Sequence, residues 1–221
     1  MRHNYLLLVD LDGVIVFEHR PQKSLRREII LLHNTLSESV SSLSCPILFL
    51  THRSRAEAEA ILIGMDLSFE ISIIAAEDLY ACARRRAGLR ELFRWGLRKS
   101  WIIPELEKQY GITRDRFAFI DDNAKNVSDL LGAGIGLALL APSEISEDGL
   151  TLTTFEMAEA TQRILEWESN GKLASGLVQL APKHIPIAEW SRTGINVRKQ
   201  SRHAFNLGRR VMRFFRNLIL R

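Results

Sequence analysis

Three short apolar runs in this chain stop abruptly on oxygen-bearing side chains. Tyr5-Leu6-Leu7-Leu8-Val9 ends at Asp10 and Asp12, Ile47–Leu50 ends at Thr51, and Phe117–Ile120 ends at Asp121 and Asp122. Four or five apolar residues with a sharp polar stop read as strands buried on both faces. Between and beyond them the pattern is helical. Leu25, Ile29, Leu32, Leu36, Val40 and Leu43 recur at steps of three and four and predict a helix over 23–43. Ser54 is a candidate N-cap for a helix running to Gly64, and residues 70–75 read as a further strand. A helix is expected over 79–98, another opens at Pro104 and ends at Tyr110-Gly111, and Asn126 to Leu131 begins one stopped by Gly132 or Gly134. Ile135 to Leu140 reads as a fifth strand. Strands alternating with helices predict an α/β, Rossmann-like domain, a parallel sheet with helices on both faces. The carboxyl ends of such strands open onto one crevice, where ligands bind.

Composition excludes several classes. The chain is 46% apolar and 25% charged, which is ordinary for a folded domain and excludes wholesale disorder. No apolar run approaches the ~20 residues of a membrane span. The apolar start imitates a leader sequence, but Asp10 and Asp12 cut it short, and a cytoplasmic location is the expectation. Cys45 and Cys82 stand among apolar or small residues and read as free thiols in a reducing compartment. The net charge of +4 is uneven: residues 198–221 hold eight basic groups and no acidic one, so the rest of the chain carries −4. The body is no polyanion binder, and nucleic acid is not expected as a partner.

The chemistry concentrates at the three strand ends. If extended backbone persists to Asp12, Asp10 and Asp12 face the same side, and crowded carboxylates require a shared proton or a cation. Asp121 and Asp122 add negative charge to the same crevice. Four carboxylates without a His or Cys cluster make an oxygen-ligand environment suited to Mg²⁺ and unsuited to zinc. A metal so held, with a Thr hydroxyl and a Lys nearby, is what a phosphoryl group needs, leaving one carboxylate free to attack it. Taken singly, each element has a plainer reading: Asp10-x-Asp12-Gly13 as a turn, Thr51 as a helix cap, and Lys99 as a solvated lysine. His52 and Arg53 could touch substrate or cap the 54–64 helix, with the cap preferred, and Lys125 reads as surface.

Taken together, the residues resemble the haloacid dehalogenase (HAD) superfamily of phosphohydrolases. Its Asp-x-Asp after a strand is matched by residues 5–16 (YLLLVDLDGVIV), and its Thr or Ser after a second strand by 46–54 (PILFLTHRS). Its lysine is matched by Lys99, 22 residues before Asp121, and its acidic pair with a trailing amide by 116–126 (RFAFIDDNAKN). The resemblance covers about residues 5–140 and implies a role for each position. Asp10 is the nucleophile, forming an aspartyl-phosphate, and a metal ligand. Asp12 is the acid and base, ligating Mg²⁺ through its backbone carbonyl. Thr51 and Lys99 hold the phosphate oxygens. Asp122 is the direct metal ligand, Asp121 acts through water or as a second ligand, and Asn126 orients that shell. Asp12 favours phosphoryl transfer over dehalogenation, which needs no acid for an oxygen leaving group.

The intervals between motifs are short. Asp10 to Thr51 is filled by a short hairpin near 15–21 and the 23–43 helix, and Thr51 to Lys99 by core elements, so no sizeable lid is expected and the site is expected to be capless. The organisation expected is a catalytic domain over 1–141, a helical and loop extension over 142–197 packing on it, and a basic amphipathic helix over 198–221. In that helix Leu207, Val211, Phe214 and Leu218 lie opposite Arg202, Arg209, Arg213 and Arg216, which suits an anionic membrane surface or an acidic protein partner. The expected activity is Mg²⁺-dependent hydrolysis of a phosphorylated substrate, small or macromolecular. The rivals are a binding or regulatory protein of the same fold without turnover, and a nucleic-acid end-phosphatase.

Overall fold

The computed structural model describes residues 4–19, 28–33, 36–65, 67–86, 88–170 and 176–187. In chain order they form β1 (Leu6–Val9), β2 (Val16–His19), β3 (Glu28–Leu31), α1 (Leu36–Val40), β4 (Ile47–Leu50), α2 (Arg55–Ile63) and β5 (Ser72–Ile74). Helices α3 (Ala76–Arg86), α4 (Gly88–Trp95) and α5 (Ile103–Tyr110) follow, with a 3-10 turn over Lys99–Ile102 between the last two. Then come β6 (Phe117–Asp121), α6 (Ala124–Gly132), β7 (Leu137–Leu140), β8 (Glu144–Ile145), β9 (Thr151–Thr154), α7 (Met157–Asn170), β10 (Gly176–Gln179) and β11 (Lys183–Pro186).

The main sheet has six strands in the order β10-β7-β6-β1-β4-β5, with every pairing parallel. Alternation within β1 explains why both faces are covered. Leu7 and Val9 enter one core with α1, α2 and α7, while Leu6 and Leu8 enter the other with α3, α5 and α6. All four of these β1 residues are buried, so the strand has no solvent face. Chain order runs outward from β1 through β4 to β5, then returns to β6 on β1's other side. The reversal lies between β1 and β6, the switch point at which crevices open in doubly wound sheets.

Several expectations are corrected. The helix over 23–43 is not formed: residues 28–31 are β3, paired antiparallel with β2, and only Leu36–Val40 is helical. Its helical spacing also serves a strand and a short helix in succession, because Ile29 and Leu31 pack on the core from one and Leu36 and Val40 from the other. The 79–98 helix is divided. α4 ends at Gly96, whose φ of 72° is left-handed, and the chain re-forms as the 3-10 turn carrying Lys99. Helix α6 starts two residues earlier than read, because Asn123 caps it by accepting from the Lys125 N–H. The sheet gains a sixth strand, β10, and a small sheet of β8, β9 and β11 that the apolar pattern did not reveal.

Of residues 142–197, the part over 157–167 is core: Met157, Ala160, Ile164 and Trp167 of α7 join the β1 cluster. Trp167 meets Tyr5 edge-on at 5.9 Å between ring centres. The basic helix expected over 198–221 lies outside the described residues. Among the described residues no helix is long and apolar enough to cross a membrane. Trp167→Ala should cost about 3–5 kcal/mol, the usual range for a buried tryptophan, and the check is the shift in the urea midpoint. A cost under about 1 kcal/mol would mean that α7 contributes little to the fold.

Candidate active site

Register sets the site. Val9 lies opposite Ile120 on β6 and Phe49 on β4, so Asp10 emerges between the two strand ends, its N–H donating to the Ile120 carbonyl at 2.9 Å. Thr51 follows β4 at the same edge, fully buried, its Oγ1 accepting from the Arg53 N–H at 3.1 Å. Asp121 ends β6, and Asp122 follows it. One ligand oxygen from each of Asp10, Asp121 and Asp122 lies within 4.8 Å of the other two.

Lys99 sits in the middle of this charge. Its side chain is 0% exposed, and Nζ lies 2.8 Å from Asp10 Oδ1 and 2.7 Å from Asp121 Oδ2. Burial alone would lower its pKa, but the two carboxylates more than reverse this, and it stays an ammonium. Burial pushes the Asp10 carboxyl up against the pull of Lys99, with Asp121 adding to the rise. Asp10 Oδ1 also accepts from the Leu11 N–H at 2.8 Å, which leaves Oδ2 outside both bonds.

The acidic pair divides its labour. Asp121 takes Lys99 and the Asn126 amide on Oδ2 and the Asn123 N–H on Oδ1, so both of its oxygens are engaged. Asp122 is half-buried, and its carboxyl is pushed up to about 6 by burial first and by Asp121 second. Gly13 makes room for it. With φ at 71°, Gly13 turns the chain after Asp12, and a Cβ there would overlap the Asp122 carboxylate.

Asp12 departs from expectation. Extended backbone stops at Val9, because Ile15 and Val16 N–H groups fold back to the Leu11 carbonyl and the Gly13 N–H reaches Val16. The Asp12 carboxylate is therefore outside the three-carboxylate group and forms an ion pair with Arg53, which also reaches Glu18 of β2 at 3.3 Å. Arg53 is no part of the helix cap. Ser54 is the cap, accepting from the Glu57 N–H. The structure thus brings Asp10, Lys99, Asp121, Asp122 and Asn126 into direct or shared contact, places Thr51 at the same edge, and adds Arg53 through Asp12, where the sequence preferred a helix cap over a place at the site. The only signal for Arg53 was its position two residues after the strand-terminal Thr51. Beside the site a cleft of about 750 Å³ is lined by Trp95, Leu97, Arg98, Asn123, Lys125 and Asn126, among others. Lys125 is exposed, as expected.

The chain matches no protein-family model and no curated protein. Similar solved structures include one described as a HAD family hydrolase from Streptomyces avermitilis, at 12% identity and TM-score 0.40, covering 62% of this chain and 71% of that one. A hypothetical protein from Xanthomonas campestris is 17% identical at TM-score 0.40, over 63% of this chain and 64% of that one. A 3-deoxy-D-manno-octulosonate 8-phosphate phosphatase from Moraxella catarrhalis, in complex with magnesium ion, phosphate ion and KDO, is 17% identical at TM-score 0.38, over 62% and 68%. The fold is a doubly wound, Rossmann-like parallel α/β sheet with the motif residues gathered at its switch point. At identities this low, the reading of activity rests on the side chains of the site itself.

Two outcomes follow from the carboxylates. Asp122 keeps its proton to a higher pH in the fold (about 6) than in the unfolded chain (near 3.8), so the metal-free protein loses stability as pH rises through that window. A cation binds the ionised form, so the stabilisation by Mg²⁺, read as a Tm shift, should be small at pH 5 and grow through pH 6 to pH 7. Gly13→Ala should cost about 1 kcal/mol or more through its positive φ and weaken Mg²⁺ binding by displacing Asp122. Calorimetric titration of that variant checks both, and unchanged affinity would mean that Asp122 holds no metal.

Proposed function

We propose that the chain is a Mg²⁺-dependent phosphoric monoester hydrolase in which Asp10 is the nucleophile. The observation that carries the reading is the buried Lys99 between Asp10 and Asp121, with Asp122 beside them. A lysine and three carboxylates drawn from three separate segments form a site that is poised for an anion only when a cation is present.

The donor set fits that cation. All three groups are carboxylate oxygens, the hard ligands that Mg²⁺ prefers. With Asp121 engaged by Lys99, Asn126 and Asn123, the groups left to hold the metal are Asp10 and Asp122, and the Asp12 carbonyl completes the protein's share. When bound, the metal neutralises phosphate charge beside the attacking oxygen.

The protein's own part runs in two steps. Asp10 Oδ2 attacks phosphorus, the bond to the ester oxygen breaks, and the departing oxygen takes a proton from Asp12. Water then attacks the aspartyl-phosphate while Asp12 takes one of its protons, the bond between Asp10 and phosphorus breaks, and inorganic phosphate leaves with Asp10 regenerated. Thr51 and Lys99 hold the phosphate oxygens, and Lys99 keeps Asp10 Oδ1 turned away so that Oδ2 faces the substrate.

Asp10→Asn should abolish hydrolysis of p-nitrophenyl phosphate, and EDTA should do the same to the native protein, with activity restored by added Mg²⁺. Full turnover by the Asn variant, or by the chelated enzyme, would end this reading. A folded, metal-binding protein inactive across a broad panel of phosphate esters would support the reading without turnover.

A further inference from the structure

The Asp12 ion pair has a geometry that the two chemical steps do not by themselves require. Arg53 Nε forks onto Asp12 Oδ1 at 3.0 Å and Oδ2 at 2.9 Å, Nη2 reaches Oδ1, and the same Nη2 lies 3.3 Å from Glu18 Oε2. The Arg53 side chain is only 12% exposed, whereas that of Asp12 is 44% exposed. The arginine is thus the fixed member and the aspartate the movable one.

Movement matters because of what lies nearby. Asp12 is two residues from Asp10, on a turn, beside three carboxylates whose oxygens lie within 4.8 Å of each other. A divalent cation at that cluster attracts any further carboxylate within reach, and a carboxylate ligated to the metal is a poor proton donor. A forked guanidinium is the side chain best matched to hold a carboxylate in one plane against such a pull. Glu18 anchors the guanidinium from the other side, so Arg53 is restrained from following Asp12 inward.

We propose that Arg53 is a positioning residue: braced by Glu18, it holds the Asp12 carboxylate outside the metal cluster and keeps it for proton transfer. This rests on the phosphatase reading and assigns the arginine's part in it. The two Arg53 donors converge on Asp12 Oδ1, while Oδ2 receives one arm of the fork. Oδ2 is therefore the oxygen with lone pairs left to carry the proton. Arg53 supplies a positive charge shared by Asp12 and Glu18, neither of which pairs with Lys99.

The test separates protonation from binding through the leaving group. p-Nitrophenolate departs without a proton, whereas the alkoxide of glycerol 3-phosphate needs one. In Arg53→Ala, the pre-steady-state rate of alcohol release should fall about 100-fold for glycerol 3-phosphate, the low end of a general acid's contribution, and less than about fivefold for p-nitrophenyl phosphate, while the later hydrolysis of the aspartyl-phosphate, for which Asp12 is the base, slows alike for both and KM for neither ester rises more than about twofold. Arg53→Lys, which keeps the charge but cannot fork, and Glu18→Gln, which removes only the brace, should give smaller losses with the same leaving-group bias. They carry the test if Arg53→Ala does not fold. Mg²⁺ titrated calorimetrically into substrate-free protein should bind Arg53→Ala no more weakly than the native chain. Equal losses in the release rates of the two esters would overturn the proposal, as would a rise in KM on both or Mg²⁺ binding weakened beyond about threefold. A native protein that turns over neither ester would overturn the phosphatase reading itself and this role with it.

Discussion

The buried ammonium of Lys99 is the contact on which the site's order depends. A lysine at 0% exposure is tolerated only if its charge is matched, because removing it from water costs several kcal/mol even after relaxation. Asp10 and Asp121 supply the match at 2.8 and 2.7 Å, and each is itself a buried carboxyl group in need of a partner. None of the three is tolerable at that depth without the others. The triad also links the end of β1, the end of β6 and the 3-10 turn after α4, so the Asp10 carboxylate is fixed by electrostatics as well as by strand register.

Around that triad the remaining carboxylates have distinct environments. Asp121 is engaged by two amide groups in addition to the lysine, Asp122 stands against the bare backbone of Gly13, and Asp12 is drawn off to a guanidinium. Four chemically equal side chains within one crevice are thereby made unequal by their partners. This is the general route by which acid, base and ligand roles come from one residue type. It also explains why a short Asp-x-Asp motif yields two different groups: the turn closed by Gly13 rotates the second carboxylate out of the plane of the first.

The parts legible in the sequence were those written in contiguous residues. The runs at 5–9, 47–50 and 117–120 specify strands because nothing but a doubly covered sheet accommodates them, and the oxygen-bearing residue after each then falls at one edge. Lys99 was placed by its distance from Asp121, although its local structure was misread, since Gly96 interrupts what spacing alone makes one helix. The hairpin over 16–31 was hidden because apolar residues at 29, 32 and 36 fit a helix as well as a strand followed by a helix. Strand β10 was hidden for a different reason: its Gly176 start and half-exposed pattern carry little of the apolar signal that marks a central strand. The pairing of Arg53 could not be read, because its partners Asp12 and Glu18 are 41 and 35 residues away and only the fold brings them together.

That separation has a consequence for how the chain acquires its site. β1 pairs first in space with β4, some 40 residues on, and with β6, roughly 110 residues on, and each pairing must close a long loop before any contact repays it. A chain emerging from the ribosome presents Asp10 long before Asp121 exists. Until β6 docks, the first strand lacks a neighbour on one side and Lys99 lacks its second carboxylate. Lys99, its two counter-ions and the neighbouring Asp122 therefore come together in one late event, and a partly folded chain lacks the complete cluster.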